Sequence, residues 1–313
     1  MSITASDVLA AAERIRGLVR RTPVVRTELN GVELYLKCEN LQDGGSFKLR
    51  GATNLVRTLD AAALEKGVMA YSSGNHAAGV ALAARRAGTK ARVVMPHDAP
   101  KVKVDNTASF GAEIISYDRF TEDREAICKA LAAETGATII PPFDHVLTIA
   151  GQGTAALELM EEVPDLDALT APLGGGGLMS GCCLIAHHRQ PSIRLFGAEP
   201  ELGNDTWLSF QAGEHRQIPP SETIADGLRS PSPGKLTFPI MKEHLEDIAL
   251  VTEDEIRAAV RWLATRVHLV VEPSGAVPVA AILHGKLPQN IRKIGVIVSG
   301  GNIEPKQLAE ILA

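Results

Sequence analysis

The segment from Gly44 to Gly51 has a single lysine, Lys48, between small and apolar neighbours directly after a glycine-rich turn. A lysine in such surroundings loses hydration, and this lowers its pKa. Since a neutral amine is a nucleophile and an ammonium ion is not, Lys48 is a candidate for Schiff-base formation with an aldehyde. The competing interpretation is a basic residue on the first turn of a surface helix.

A run of four glycines, Gly174 to Gly177, follows an apolar run that ends at Leu173, and Leu178 then opens a helical pattern. Backbone amides without side-chain cover at the start of a helix can bind phosphate. The spacing does not fit the dinucleotide fingerprint, because Met179 or Ser180 occupies the third glycine position. NAD binding is therefore disfavoured, and the competing interpretation is a flexible turn between a strand and a helix. Gly174 to Leu178 are called the glycine loop below.

Two other turns carry polar groups where strands are expected to end. The asparagine loop, Tyr71-Ser72-Ser73-Gly74-Asn75-His76, offers hydroxyls, backbone amides and an amide side chain at a helix N-terminus, and these donors suit a carboxylate and a phenolic oxygen. Ser299 follows the last apolar strand and could hydrogen-bond a ring nitrogen. Considered alone, Ser72 or Ser73 is only an N-cap, and Ser299 is only a turn serine.

Short runs rich in β-branched residues alternate with alanine-rich helical stretches, which is typical of an α/β protein with a mainly parallel sheet. The predicted strands are 68–71, 91–95, 112–116, 169–173, 193–198 and 294–298. The predicted helices include 75–87, 101–111, a C-terminal helix over 306–312 and a helix that begins near Glu253 with a capping box formed by Thr252 and Glu255.

The first three of these strands, with the helices between them, suggest a lobe inserted into a larger one. We predict a small domain over residues 67–144 and a large domain made of residues 1–66 and 145–313. In open α/β sheets ligands bind beyond the carboxyl ends of strands, often in a cleft between lobes. The glycine loop, the asparagine loop and Ser299 all fall at such strand ends.

The composition excludes several function classes. A chain of 313 residues with 45% hydrophobic content can bury a large core, and its net charge of −5 with 4% aromatic residues argues against nucleic acid as a partner. The first twenty residues suit an amphipathic helix instead of a secretion signal, and no apolar stretch is long enough to span a bilayer. We expect a cytoplasmic protein whose cysteines are reduced thiols, since Cys38, Cys128, Cys182 and Cys183 form no C-x-x-C pair.

These motifs, taken in order, resemble the fold-type II pyridoxal-phosphate (PLP) enzymes. This family has a tryptophan synthase β-like fold of two open α/β domains, with the cofactor in the cleft between them. Within it, the chain is most similar to the serine and threonine dehydratases and serine racemases. The motifs that carry the resemblance are Arg21-Thr22-Pro23, Ser46-Phe47-Lys48, Ser72-Ser73-Gly74-Asn75-His76, Ala150-Gly151-Gln152-Gly153-Thr154, the glycine loop, Ala225-Asp226-Gly227, Glu272-Pro273 and Ser299-Gly300-Gly301-Asn302.

The resemblance implies a cofactor site. Lys48 would bind PLP as a Schiff base with Phe47 beside it, and the glycine loop would bind the phosphate. Asn75 would contact the ring hydroxyl, and Ser299 the pyridine nitrogen. Because a serine does not keep the pyridine protonated as a carboxylate would, loss of a β-leaving group competes well against transamination.

The resemblance also implies a β-eliminating ammonia-lyase, which dehydrates L-serine- or L-threonine-type 3-hydroxy amino acids to a 2-oxo acid and ammonia, with Lys48 as the base at Cα. Ser73 resembles the serine that faces Cα opposite the lysine in racemases, so serine racemase is an alternative. Ser72, Ser73, Asn75 and His76 would bind the substrate. Outside enzymes, the alternative is a non-catalytic PLP-binding regulator, which Lys48 disfavours.

Arg124 resembles an arginine that binds a carboxylate in racemase-like members, and this makes threo-3-hydroxyaspartate a further candidate substrate. The competing interpretation is a solvated helix residue paired with Glu122 or Asp123.

A divalent cation is predicted from an acidic segment after the strand expected to end at Ala198. Glu199, the Gly203 carbonyl and Asp205 form an all-oxygen set that suits Mg²⁺, Mn²⁺ or Ca²⁺, and the family places a cation at the matching positions. The competing interpretation is a solvated acidic loop. The resemblance further suggests a homodimer.

Overall fold

The structure is a computed structural model that describes residues 3–29, 31–72, 74–99 and 101–313. Its strands are β1 (Val24–Leu29), β2 (Val32–Cys38), β3 (Val68–Tyr71), β4 (Ala91–Pro96), β5 (Glu113–Tyr117), β6 (Thr138–Ile139), β7 (Ala168–Pro172), β8 (Arg194–Pro200), β9 (Asp247–Val251) and β10 (Lys293–Val298). Its α-helices are α1 (Ala5–Ile15), α2 (Lys48–Val56), α3 (Ala61–Lys66), α4 (Asn75–Ala87), α5 (Lys101–Ser109), α6 (Arg124–Thr135), α7 (Val146–Glu162), α8 (Gly177–Arg189), α9 (Asp205–Ala212), α10 (Thr237–His244), α11 (Glu253–Trp262), α12 (Pro273–Leu283) and α13 (Pro305–Leu312).

The larger sheet has six strands in the order β1-β2-β10-β7-β8-β9. Only the β1–β2 pair is antiparallel, so the expected mainly parallel sheet is confirmed. Helices cover both faces, because side chains of a central strand alternate between two hydrophobic cores. In β10, for example, Val296 packs in the core with α11 and α12, and Ile297 packs in the core with α7 and α8.

The smaller sheet has four parallel strands in the order β5-β4-β3-β6. We call this sheet with α3 to α6 the small lobe, and the rest of the chain except α2 the large lobe. The helix α2 packs against both lobes. Its Leu49 and Leu55 belong to the hydrophobic core of the small lobe, while a Cβ on Gly151 of α7 would lie 2.6 Å from the Cα of Gly51. The domain boundaries at residues 67 and 144 therefore stay a prediction.

Most predicted elements lie within a few residues of the observed ones. The strand 68–71, the helix 75–87 and the capping box of Thr252 and Glu255 are confirmed. One strand end was wrong: β8 continues to Pro200, so Glu199 lies inside the strand and not in a loop after it. The strands β1, β2, β6 and β9 were not predicted.

All four cysteines are buried and free, and burial raises the pKa of Cys182 to about 12, which keeps the thiol protonated. Within the described ranges, no helix is long and apolar enough to cross a membrane.

A buried network of charges joins the lysine-bearing helix α2 to the large sheet. The Arg50 guanidinium binds both carboxylate oxygens of Glu39 at 2.8 Å and both of Glu158 at 2.8 and 2.7 Å. Lys37 of β2 donates to Glu158 at 2.6 Å, so two cations and two anions balance. Buried ion pairs are costly to desolvate, and removing one partner leaves an uncompensated charge. The network therefore fixes α2, and with it Lys48, against β2 and α7.

Candidate active site

Lys48 is the first residue of α2, and its amine is directed into the structure. The amine donates to the Pro142 carbonyl at 2.8 Å and lies 5.1 Å from the centre of the Phe47 ring. Burial lowers the pKa of Lys48 to about 8, although the nearby Glu272 carboxylate acts in the opposite direction. A substantial fraction of this amine is therefore neutral near pH 8, as a nucleophile or base requires.

The glycine loop leads into α8, which begins at Gly177. In the part of the chain that the structure describes, the amides of residues 175–178 donate to no protein acceptor. The carbonyls are bonded instead: that of Gly175 accepts from Gly234 N at 3.2 Å and from the Thr237 hydroxyl at 2.7 Å. Consecutive free amides at the N-terminus of a 13-residue helix form an anion site, and this arrangement fits the phosphate of PLP.

The glycines of this loop are also required by close packing. A Cβ on Gly175 would lie 2.4 Å from the Phe143 ring, and one on Gly176 would lie 2.5 Å from the Met241 methyl. Gly176 adopts φ +85°, a conformation that other residues rarely take. Because Phe143 directly follows Pro142, one short segment contacts both the glycine loop and the Lys48 amine.

Asn75 is oriented by two residues from the large lobe. Its amide nitrogen donates to Glu272 at 2.6 Å, and its carbonyl oxygen accepts from Asn302 at 2.7 Å. Glu272 directly precedes α12, and burial together with the Asp226 charge raises its pKa to about 8. One amide proton of Asn75 remains for a ligand, at the position where the resemblance expects the ring hydroxyl.

Ser299 directly follows β10, beside the lysine. Its carbonyl accepts from the Phe47 amide at 3.0 Å, and its side chain is 3% exposed. Its hydroxyl makes no hydrogen bond within the described residues, so it can still bind a ring nitrogen.

The other residues of the asparagine loop have different surroundings. The Ser72 hydroxyl accepts from the Gly74 amide at 3.3 Å, and Gly74, not a serine, is the N-cap of α4. His76 is buried and bonds through Nε2 to the Ile140 carbonyl at 2.7 Å. Burial lowers the pKa of His76 to about 3, so the ring is neutral. Ser73, predicted to be catalytic, lies outside the described residues.

Arg124 begins α6 and is exposed, with its guanidinium carbon 5.9 Å from the centre of the Tyr71 ring. Since Tyr71 ends β3, Arg124 lies next to the asparagine loop. The alternative ion pairs are not seen among the described residues: Asp123 caps α6 through the amides of residues 125 and 126, and Glu122 accepts from the amide of residue 118.

The acidic segment brings Glu199 and Asp205 together in the interior. Both side chains are fully buried; Glu199 accepts from the Thr206 amide at 3.1 Å and the Trp207 amide at 2.8 Å. One carboxylate oxygen of Asp205 is buried without a partner among the described residues. Burial raises the pKa of Asp205 to about 7, and burial with the Asp205 charge raises that of Glu199. Gly203 ends the short turn between them.

The contacts of Glu272, Asn302 and the Pro142 carbonyl in the site were not predicted. Glu272 had a visible signal, because a glutamate between apolar runs and directly before a helix-starting proline is unusual in a protein interior. The Pro142 carbonyl had no signal in the sequence, because every residue has a backbone carbonyl that can accept a hydrogen bond.

Residues 15–300 match the model of the family described as pyridoxal-phosphate dependent enzyme. The chain belongs to this family, and with the two open α/β sheets it is a fold-type II PLP enzyme. The expected fold class is thereby confirmed.

Individual relatives cover nearly the full chain. The L-threo-3-hydroxyaspartate ammonia-lyase of Saccharomyces cerevisiae is 47% identical over 99% of this chain and 96% of its own. The crystal structure of serine racemase from Dictyostelium discoideum has a TM-score of 0.92 at 44% identity, covering 97% of this chain and 100% of that one. The crystal structure of threonine deaminase from T.th. has a TM-score of 0.90 at 41% identity, covering 96% of this chain and 99% of that one.

The lowered pKa of Lys48 predicts how the apoprotein captures PLP. The capture rate should rise with pH until about pH 8 and then level off, because only the neutral amine reacts and its pKa is about 8. An ordinary lysine would continue to gain reactivity beyond about pH 10. Stopped-flow absorbance measures the rate, and Lys48→Arg supplies the baseline for non-covalent binding. A rate that still rises steeply above about pH 9 would contradict the lowered pKa.

Proposed function

We propose that the protein is an ammonia-lyase that removes the β-hydroxyl and the amine from L-serine- or L-threonine-type 3-hydroxy amino acids, giving a 2-oxo acid and ammonia. The observation that carries this proposal is the half-buried, partly neutral amine of Lys48, which donates to Pro142. The next residue, Phe143, packs against the glycine loop, whose amides are free among the described residues. Bound PLP supplies an electron sink that acidifies the Cα proton of an amino acid.

The residues of the chain then have separate tasks. The glycine loop binds the phosphate, and the hydroxyl of Ser299 binds the ring nitrogen as a neutral partner. Asn75, oriented by Glu272 and Asn302, binds the ring oxygen. The amine of Lys48 removes the Cα proton from one face as general base.

The substrate carboxylate is proposed to bind at the asparagine loop. The N-terminus of α4 attracts anions through amides that are free among the described residues. His76 is neutral, so it contributes no charge to this attraction. Ser72 and Asn75 are the polar side chains described there. A role for Ser73 as proton donor to the opposite face of Cα, which would give serine racemase activity, stays a prediction.

A second substrate class, 3-hydroxyaspartate, is favoured by Arg124. Its guanidinium stacks over Tyr71 next to the asparagine loop and has neither of the expected local ion pairs in the described structure. A relative named L-threo-3-hydroxyaspartate ammonia-lyase, 47% identical, supports the same proposal. We infer that Arg124 binds the distal carboxylate of such a substrate.

We also propose a structural divalent cation at Glu199, the Gly203 carbonyl and Asp205. Two buried carboxylates, with one oxygen unpartnered, are costly without a cation, and oxygen ligands suit Mg²⁺, Mn²⁺ or Ca²⁺. In the described residues, no three His, Cys, Asp or Glu side chains cluster as ligands, so the remaining ligands would be backbone and water. The homodimer and the cytoplasmic location likewise stay predictions.

Replacing Lys48 tests the reaction. Lys48→Ala should lower elimination by at least about a hundredfold, because a positioned general base contributes about that much or more. The assay supplies PLP-loaded protein with a panel of 3-hydroxy amino acids and measures 2-oxo acid and the D/L ratio together. Lys66→Ala, a control at the end of α3, should leave turnover unchanged. Wild-type protein that binds PLP but turns over no member of the panel would favour the non-catalytic alternative.

Replacing Arg124 tests the substrate class. Arg124→Ala should lower kcat/KM for L-threo-3-hydroxyaspartate about 10- to 100-fold, since a charge-assisted hydrogen bond contributes about 1.5–3 kcal/mol. Turnover of L-serine, which has no distal carboxylate, should change by less than about twofold. Arg119→Ala is the matched control, because Arg119 is also exposed but pairs with Asp98. An effect that is absent, or that is equal on both substrates, would contradict a contact of Arg124 with the distal carboxylate and favour a solvated surface residue.

Chelation tests the cation. Exhaustive EDTA treatment should lower the melting temperature by several degrees together with turnover, and Mg²⁺ or Mn²⁺ should restore both, since a ligand of the folded state stabilises it. The double variant Glu199→Gln, Asp205→Asn should respond to neither treatment. Unchanged melting and turnover after EDTA in the wild type would exclude the site.

A further inference from the structure

An ion pair connects the two lobes at the rim of the cleft. The Lys103 ammonium, on α5 of the small lobe, binds the Asp226 carboxylate of the large lobe, 123 residues away in sequence. The side chains are 22% and 36% exposed, so the pair is only partly screened by water. By contrast, Lys101 on the same helix pairs locally with Asp105 and is 85% exposed.

Asp226 lies on a short turn that packs directly against the site. The following amide, of Gly227, donates to the Ser274 hydroxyl at 2.9 Å, next to the start of α12. A Cβ on Gly174 would lie 3.2 Å from the Gly227 carbonyl, so the same turn abuts the glycine loop. The turn therefore has a fixed position relative to the phosphate site, and Lys103 connects the small lobe to it.

The charges of this pair also reach the group that orients Asn75. Asp226 raises the pKa of Glu272 and Lys103 lowers it, so both lie within electrostatic range of the Glu272 carboxylate. Two contacts between the lobes thus lie close to Glu272: Asn75 with Glu272 and Asn302, and Lys103 with Asp226. The ion pair of Arg86 on α4 with Asp43 also joins the lobes.

We propose that the Lys103–Asp226 ion pair holds the small lobe closed over the substrate, so that both are positioning residues for the lyase reaction. The inference rests on the proposed function, because it concerns the same cleft. A partly exposed pair biases the closed state modestly, by about fivefold. Only the closed state binds substrate tightly. Loss of the pair lowers the fraction of molecules that are closed, and the apparent affinity falls in the same proportion.

The experiment is a double-mutant cycle on the PLP-loaded enzyme, with Lys103→Gln, Asp226→Asn and the double variant. Each single change should raise KM about fivefold and leave kcat within about twofold. The double variant should match either single one, because all three lose the same interaction. Lys103→Arg, which keeps the charge, should remain within about twofold of wild type, as should the control Lys101→Gln.

A second readout does not require turnover. Acrylamide quenching of the fluorescence of bound PLP reports access to the cleft, and it should increase in both single variants and in the double variant to the same extent. Added salt should raise quenching in the wild type and not in the double variant, because the pair is screened.

The outcomes separate the two proposals. If the wild type turns over no hydroxy amino acid but quenching follows this pattern, the proposed reaction is wrong and the rim ion pair stands. If turnover is present but Lys103→Gln behaves like Lys101→Gln, or if the double variant shows the product of the single effects, the rim ion pair is overturned. Absorbance of bound PLP and melting temperature confirm that each variant is loaded and folded.

Discussion

The position of Lys48 depends on a buried network of four charged side chains whose charges sum to zero: Arg50, Lys37, Glu39 and Glu158. These charges are balanced only when α2, the end of β2 and α7 are all in their native positions. Any displacement of α2 would separate buried charges in a medium of low polarity, where the cost is high. The network therefore restricts the lysine helix to one register, and the short distances around the amine follow from that restriction.

Burial also determines the pKa values of the ionisable groups inside the cleft. Lys48 and Glu272 each have a pKa of about 8, the lysine lowered and the carboxyl raised by loss of water. A site in which the amine and the carboxyl are both close to titration can move protons near neutral pH at little cost. The glycine loop, by contrast, favours a permanent anion. The part of the cleft around Lys48 and Glu272 and the part at the glycine loop are therefore chemically distinct.

The sequence predicted the parts that are local in the chain and did not predict those that depend on long-range contacts. Lys48, the glycine loop, α4 and the capping box of α11 are encoded in short motifs with their own periodicity or turn chemistry. Glu272 contacts Asn75 across 197 residues and Arg50 contacts Glu158 across 108. Such partners have no fixed spacing, and β1 was not predicted because its alternating charges are also compatible with a loop.

Two separate sheets would suggest that the lobes unfold in two separate steps, but the packing of α2 argues for a single step. One face of this helix completes the core of the small lobe through Leu49 and Leu55, and the other is in backbone contact with α7 through Gly51 and Gly151. Detaching α2 from the small lobe exposes apolar surface. Detaching it from α7 breaks the hydrogen bond of the Gly51 amide to Gln152 and the ion pair of Arg50 with Glu158, so loss of structure is shared. The lobes therefore form a single cooperative unit in unfolding, although they are separate sheets in architecture.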